Sequence, residues 1–321
     1  MKKLKIYDFD EVLKREDDAQ SCKEIFVNDI RDKLDKYFEE GYPLGETSTI
    51  NKLDDNFRWR KGFLYCCSGY PQSGKSEIIN YLMILRAKQY DEKILMYSPE
   101  TNTYEFISNL VRAYIGKNVN PEFDNVCTKD EWNKGLDFIN DHFAFLENRD
   151  EMPSIKTLIE TYQRFYKKGY SCFIIDPLNW VVESNVGEVN MYQYLKLSLT
   201  TLKQFAKSTE SIMIYVEHPK TPAPVSSRGK GKIPKATAFS LAGGTMHFNK
   251  VDCMIIMHRL TREDLEDKIS KGELLSKILD NNQENNINFV EFETVKMKSQ
   301  RLNGTLGSRI LQYDFITGQF K

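Results

Sequence analysis

The sequence lacks an overall charge, a membrane-length apolar run and a paired-cysteine motif. Lys and Arg number 45 against 46 Asp and Glu over 321 residues, a formal charge of −1, so nothing draws the whole molecule to nucleic acid or to anionic lipid. Any surface for phosphate must be local. Apolar runs such as 172–175 and 253–257 are strand-sized and far below the roughly 20 residues of a membrane span, and no membrane partner is expected. The opening MKKLKIYDFDEVLKRED turns acidic where a secretory signal would carry its apolar stretch. An intracellular protein is predicted, in the cytoplasm or nucleoid, or in a host's cytoplasm if the source is viral. The six cysteines, at 22, 66, 67, 127, 172 and 253, show no CxxC spacing, which argues against a clustered metal site and a disulfide framework. They read as free thiols, four of them in or beside apolar runs. No internal repeat is present.

What the chain does have is core material. Hydrophobic residues make up 40% and charged residues 28%, the balance of a folded chain with one large domain and an appendage. Residues 1–44 form the appendage: Ile25, Ile30, Leu34, Tyr37 and Phe38 recur every three to four residues across 21–40, predicting an amphipathic helix that Gly41-Tyr42-Pro43 ends. Its apolar stripe needs a cover, from its own domain or from a neighbouring subunit. Residues 45–321 alternate short apolar strands (63–67, 93–97, 143–146, 172–175, 212–216, 253–257) with helical stretches (76–88, 104–114, 153 onward, 195–206), and a polar insertion is expected at 118–140. Two extended strands, 288–296 and 309–313, close the chain around a glycine-containing turn. Strands separated by helices predict an α/β fold with a mostly parallel central sheet.

The strongest motif is Gly69-Tyr70-Pro71-Gln72-Ser73-Gly74-Lys75-Ser76, a complete GxxxxGK[ST] phosphate loop between an apolar strand and a helix. The spacing lets backbone N–H groups converge on phosphate oxygens, adds the Lys75 charge and brings the Ser76 hydroxyl to Mg²⁺. Gly69, Gln72, Ser73, Gly74, Lys75 and Ser76 are therefore candidate nucleotide ligands, for ATP or another NTP. Asp176, ending the strand Cys172-Phe173-Ile174-Ile175, is the candidate second magnesium ligand. Glu100, after Met96-Tyr97-Ser98-Pro99, is the carboxylate expected to activate the attacking water, on a strand expected beside the phosphate loop.

With these motifs in order, 45–321 resembles the RecA-like P-loop NTPase core of the ring-forming replicative DNA helicases, the DnaB and Twinkle group. Residues 45–63 are similar to the segment before the phosphate loop, Ser98-Pro99-Glu100 to the catalytic-glutamate position, and Ile175-Asp176-Pro177-Leu178-Asn179 to the magnesium segment. Glu217-His218-Pro219-Lys220 resembles the His-Pro-x-Lys form of Twinkle-like members, which implies that His218 senses the γ-phosphate. Ser299-Gln300-Arg301-Leu302-Asn303-Gly304 resembles the segment whose arginine finger enters the neighbouring subunit's site. That implies Arg301 as the finger, although Ser299 stands where the family has a basic residue and Lys298 lies close by. Arg259 and Tyr313 match the pair that stacks on the base, and 241–249 resembles the glycine-serine segment of Twinkle-like proteins. The remaining histidines, 142, 247 and 258, read as structural.

Between Pro219 and Lys250 there is no acid, while Lys220, Arg228, Lys230, Lys232, Lys235 and Lys250 supply six positive charges. The Pro-, Gly- and Ser-rich stretch 221–234 leaves the strand carrying His218. Lys220, Arg228, Lys230, Lys232 and Lys235 are candidate contacts to a DNA backbone, and the resemblance implies a loop lining a central channel. The implied function is an ATP-dependent, 5′-to-3′ replicative helicase or translocase on single-stranded DNA, working as a ring, with six subunits expected and ATP sites between them. The short arm has no room for a primase or zinc-binding domain, so priming is expected from a separate protein, and loading too if a loader is used. Two other functions fit parts of the pattern: a RecA- or RadA-like recombination ATPase, and a non-motor P-loop protein such as a regulatory ATPase.

Overall fold

The computed structural model describes residues 24–148, 152–181, 191–220, 235–272 and 288–321. The chain divides into two compact units, Met1–Leu44 and Gly45–Lys321. In the first, a 3-10 turn at Val27–Ile30 leads into α1 (Arg31–Glu40), none of whose side chains is buried. Gly41, at φ +81°, closes that helix by donating its N–H to the Tyr37 carbonyl, and the Tyr37 and Tyr42 rings stack at 4.7 Å.

The second unit is built on one nine-stranded sheet. In chain order its elements are β1 (Leu64–Ser68), α2 (Lys75–Tyr90), β2 (Lys93–Tyr97), α3 (Thr103–Ile115), α4 (Lys129–His142), β3 (Phe143–Leu146), α5 (Ile155–Tyr166), β4 (Tyr170–Ile175) and α6 (Met191–Thr209). These are followed by β5 (Ile212–Glu217), α7 (Gly244–Lys250), β6 (Cys253–Arg259), α8 (Arg262–Ser270), β7 (Phe289–Met297), α9 (Gln300–Asn303), β8 (Gly307–Asp314) and β9 (Gln319–Phe320). The strand order is β3-β2-β4-β5-β1-β6-β7-β8-β9. The first six are parallel, and β7, β8 and β9 add antiparallel strands at one edge. The α/β fold with a mostly parallel sheet is thus present.

Two cores follow from the pleat, which sends alternate side chains to opposite faces. On β4, Cys172 and Ile174 face one core with Ile78, Leu82, Leu110 and Ile139 of α2, α3 and α4. Phe173 and Ile175 face the other, with Leu158, Tyr162, Leu199 and Phe205 of α5 and α6. At about 1.5–3 kcal/mol per fully buried large apolar side chain, this doubly covered sheet is the rigid frame that carries the loops at its ends.

One element departs from the sequence expectation: half of the polar insertion is helix. Thr128 and Glu131 form a reciprocal capping box at the start of α4. Gly135 lets α4 cross α3 closely, since a Cβ there would lie 2.7 Å from Val111 Cγ1. The polar surface of α4 conceals a narrow apolar seam. No helix among the described residues is long and apolar enough to cross a membrane.

Candidate nucleotide and catalytic site

The phosphate loop leaves the end of β1 and turns into α2. Gly69 is required by space: a Cβ there would lie 2.3 Å from the Met257 carbonyl oxygen at the end of β6. Gly74 is required by conformation, with φ +86° at the residue that caps α2. The buried Lys75 ammonium reaches back and donates to the carbonyls of Gly69 at 2.8 Å and Tyr70 at 3.0 Å. Burial lowers its pKa. The Ser73 hydroxyl is buried and has no partner among the described residues. A cation held only by its own loop's carbonyls, at a helix N-terminus, is arranged to receive an anion.

Asp176 follows β4, two strands from β1, and is buried. Burial pushes its carboxyl up to about 6, opposed by a hydrogen bond with Ser76 and the charge of Lys75. A carboxylate and a hydroxyl meeting beside the loop are hard oxygen donors, and they fit Mg²⁺.

The topology corrects one expectation about Glu100. Its strand, β2, does not adjoin the phosphate-loop strand, because β4 and β5 lie between β2 and β1. The loop after β2 nevertheless brings the carboxylate into the site: Glu100 Oε2 lies 3.9 Å from His218 Nε2 at the end of β5, and its charge is felt by Lys75 and by Asp176. His218 is half-buried, and burial first, then Lys75, lowers its pKa, so the ring is neutral at physiological pH. Its buried Nδ1 has no partner among the described residues.

Arg259, from the end of β6, and Tyr313, from β8, share a pocket of about 190 Å³ with Gln72, Gly74, Val290 and Phe320. The Arg259 guanidinium faces the Phe315 ring at 5.4 Å, and the Tyr313 ring packs on Phe315 and Phe320. The sequence reading did not single out Phe315 or Phe320. They belong to an edge hairpin whose distance in sequence from the phosphate loop gives no local signal.

Arg301 sits on α9, in a segment bolted to the residues that precede β1. Leu302 and Asn303 accept from Gly45 and Arg58 at 2.7 and 2.8 Å, Thr305 donates to Asp55 at 2.8 Å, and a Cβ on Gly304 would meet the Asn56 backbone at 2.4 Å. The Arg301 side chain is exposed and makes no ion pair or hydrogen bond among the described residues. It lies just past Met297, the partner of Cys253 at the start of β6, and so at the end of the sheet opposite its own phosphate loop. Lys298 differs, being held at 2.7 Å from the Asp252 carboxylate.

Of the basic segment, Arg228, Lys230 and Lys232 lie outside the described residues. Lys220 is exposed, with its N–H on the Ser240 carbonyl at 2.9 Å. Lys235 is held 2.7 Å from both Glu291 and Glu293 of β7, a firm ionic anchor where the sequence suggested an open phosphate contact. The other histidines have protein partners: His247 bridges the Tyr215 hydroxyl and the Ala242 carbonyl, His142 meets Asp91, and His258 meets Asp264. The described cysteines are free, and no cluster of metal-binding side chains of three or more occurs among the described residues.

Comparison with known structures settles the architecture. The chain superposes on a solved structure described as an ATPase domain with a TM-score of 0.69 at 15% identity, covering 93% of this chain and 99% of that one. A second structure, of a DnaB-like replicative helicase described with its interactions with primase, matches with a TM-score of 0.67 at 15% identity, over 97% of this chain and 70% of that one. The fold is that of a DnaB-like helicase ATPase domain. In sequence the chain is 24% identical over 303 residues, 91% of its length, to a Twinkle homolog protein of Arabidopsis thaliana described as chloroplastic/mitochondrial. It spans 39% of that relative's length. No protein-family model matches. The resemblance to the DnaB and Twinkle group therefore holds in both sequence and fold.

Proposed function

We propose that the chain is an ATP-dependent replicative DNA helicase or translocase that acts on single-stranded DNA as a ring, with ATP bound between subunits. The observation that carries this reading is the division of charge between the two ends of the sheet. Lys75, Asp176, Glu100 and His218 gather at one end, while Arg301, unpaired among the described residues, projects from the other. An arginine at the end of the sheet opposite its own phosphate loop is suited to completing a neighbour's site.

In the proposed site the loop amides and Lys75 hold the phosphates. Lys75 exchanges its bonds to the Gly69 and Tyr70 carbonyls for phosphate oxygens. Ser76 and Asp176 would hold Mg²⁺, which neutralises phosphate charge when bound. Glu100 orients and deprotonates the attacking water, and the neutral His218 beside it changes partner when the γ-phosphate leaves. Arg301 of the adjacent subunit stabilises the charge that develops there. His218 lies two residues before Lys220, at the root of the basic segment, so its change of partner reaches the residues that grip DNA phosphates. Arg259 and Tyr313 sandwich the base. In a ring of six copies, α1 supplies the apolar stripe that docks on the next subunit; a separate primase, and a loader where one is used, complete the machinery.

The test is electron microscopy of the chain with a non-hydrolysable ATP analogue and single-stranded DNA. Closed rings, lost on Arg301→Ala together with DNA-stimulated ATP hydrolysis, are expected. Long filaments would instead favour the recombination ATPase, and a monomer whose ATPase activity ignores DNA would overturn the motor reading.

A further inference from the structure

The base pocket has a support that the motifs do not reveal. Helix α3 starts just after Glu100, capped by Asn102, and its last turn carries Arg112. The Arg112 guanidinium donates from Nη1 to the Phe315 carbonyl at 2.9 Å and from Nη2 to the Tyr313 hydroxyl at 3.3 Å. Next to it, Gln319 Nε2 donates to the Ala113 carbonyl at 2.9 Å, so the turn between β8 and β9 is fastened to the end of α3 at three points. Gly318 admits this approach, since a Cβ there would lie 3.2 Å from Arg112 Nε. Tyr313 and Arg112 also line a second, smaller pocket of about 100 Å³ with Ser76, Glu77 and Asn80. Tyr313 therefore lines both pockets, and the guanidinium holds it at its hydroxyl.

We infer that Arg112 is a positioning residue for nucleotide recognition: by holding the Tyr313 hydroxyl and the Phe315 carbonyl it fixes the aromatic platform on which the base stacks. An unheld phenol ring on an edge hairpin would sample several rotamers, and a base stacking on it would have to select one of them. A planar, forked guanidinium suits two acceptors set apart in this way, and an ammonium does not. Because α3 starts just after Glu100 and carries Arg112 in its last turn, one helix also spans the distance from the hydrolytic carboxylate to the base platform. The inference rests on the reading that this pocket holds a nucleotide base, and it goes beyond that reading by naming what sets the pocket's shape.

The experiment compares the wild-type chain with R112M, R112K and Y313F in steady-state ATP hydrolysis and in calorimetric binding of a non-hydrolysable ATP analogue and of inorganic tripolyphosphate. Tripolyphosphate occupies the phosphate loop without a base. R112M is expected to raise KM for ATP about tenfold with kcat within about twofold, the signature of lost binding rather than lost chemistry, and to leave tripolyphosphate affinity unchanged. R112K should recover part of the KM. Y313F should raise KM about threefold, and the double variant should be no worse than R112M, because both changes break one contact. Wild-type affinity for the ATP analogue in R112M, or an equal loss of ATP and tripolyphosphate affinity, would overturn the inference. A wild-type chain that binds neither ligand would overturn the nucleotide reading, and this inference with it.

Discussion

At the amino ends of the central strands the buried charges come in ion-paired sets, whereas at the carboxyl ends they gather with fewer protein partners. Arg86, 1% exposed, pairs with Glu92 and Glu46 and lies against the rings of Trp59 and Tyr90; Lys61 shares Glu92. Asp252 is held by Lys203, Lys298 and the Leu64 N–H. At the other end Lys75 has only carbonyls, Ser73 and His218 each keep a buried atom without a partner among the described residues, and Asp176 and Glu217 are acids pushed up to about 6 and about 7 by burial. The same sheet supports both ends, so the difference is one of use. Ion-paired networks brace the fold, and buried polar groups that lack an ion-pair partner are the ones suited to a ligand.

Three substitutions test this contrast. The largest effect is expected at the carboxyl end. Glu100→Gln should cut ATP hydrolysis about a thousandfold, equivalent to about 4 kcal/mol of barrier, with no loss of thermal stability; a measured fall in melting temperature would place Glu100 among the structural acids. Arg86→Met should do the reverse, costing about 3 kcal/mol in denaturant unfolding by leaving Glu92 buried with Lys61 alone, while nucleotide affinity stays at the wild-type value. The smallest effect is at Glu217. A carboxyl that titrates near 4.5 when unfolded and about 7 when native keeps a proton in the folded state that the unfolded chain releases. Stability from this group therefore falls as pH rises from about 4.5 to about 7. Glu217→Gln removes the titration, so its unfolding free energy should change less between pH 4 and pH 8 than the wild type's, leaving the variant the more stable of the two at pH 8. Equal curves at both pH values would show that Glu217 is solvated.

The phosphate loop, the strand bearing Asp176 and the two extended C-terminal strands were legible because each depends on neighbours in sequence. α4 was not, since its polar surface hid the seam of Trp132, Leu136 and Ile139 around Gly135, although the Thr128–Glu131 capping box was there to be read. Strand order was the least accessible feature. Nothing local says that β4 and β5 insert between β2 and β1, because that depends on which faces the intervening helices can cover. The same holds for basic residues: spacing treats Lys235 and Lys298 as equivalent to other exposed cations, and only folding shows Lys235 on Glu291 and Glu293, and Lys298 on Asp252.

By itself, then, the sequence determined the candidate side chains and the local backbone that holds them, for a glycine, a lysine or a strand-end aspartate acts through residues only a few positions away. The tertiary structure decided which of them meet. Glu100 reaches His218 across β4, Arg259 joins Tyr313 in one pocket, Arg112 fastens the hairpin that lines it, and Arg301 lies at the opposite end of the sheet from its own phosphate loop. Arg112 and Tyr313 are 201 positions apart, and such contacts exist only once the sheet has closed and both of its faces are packed.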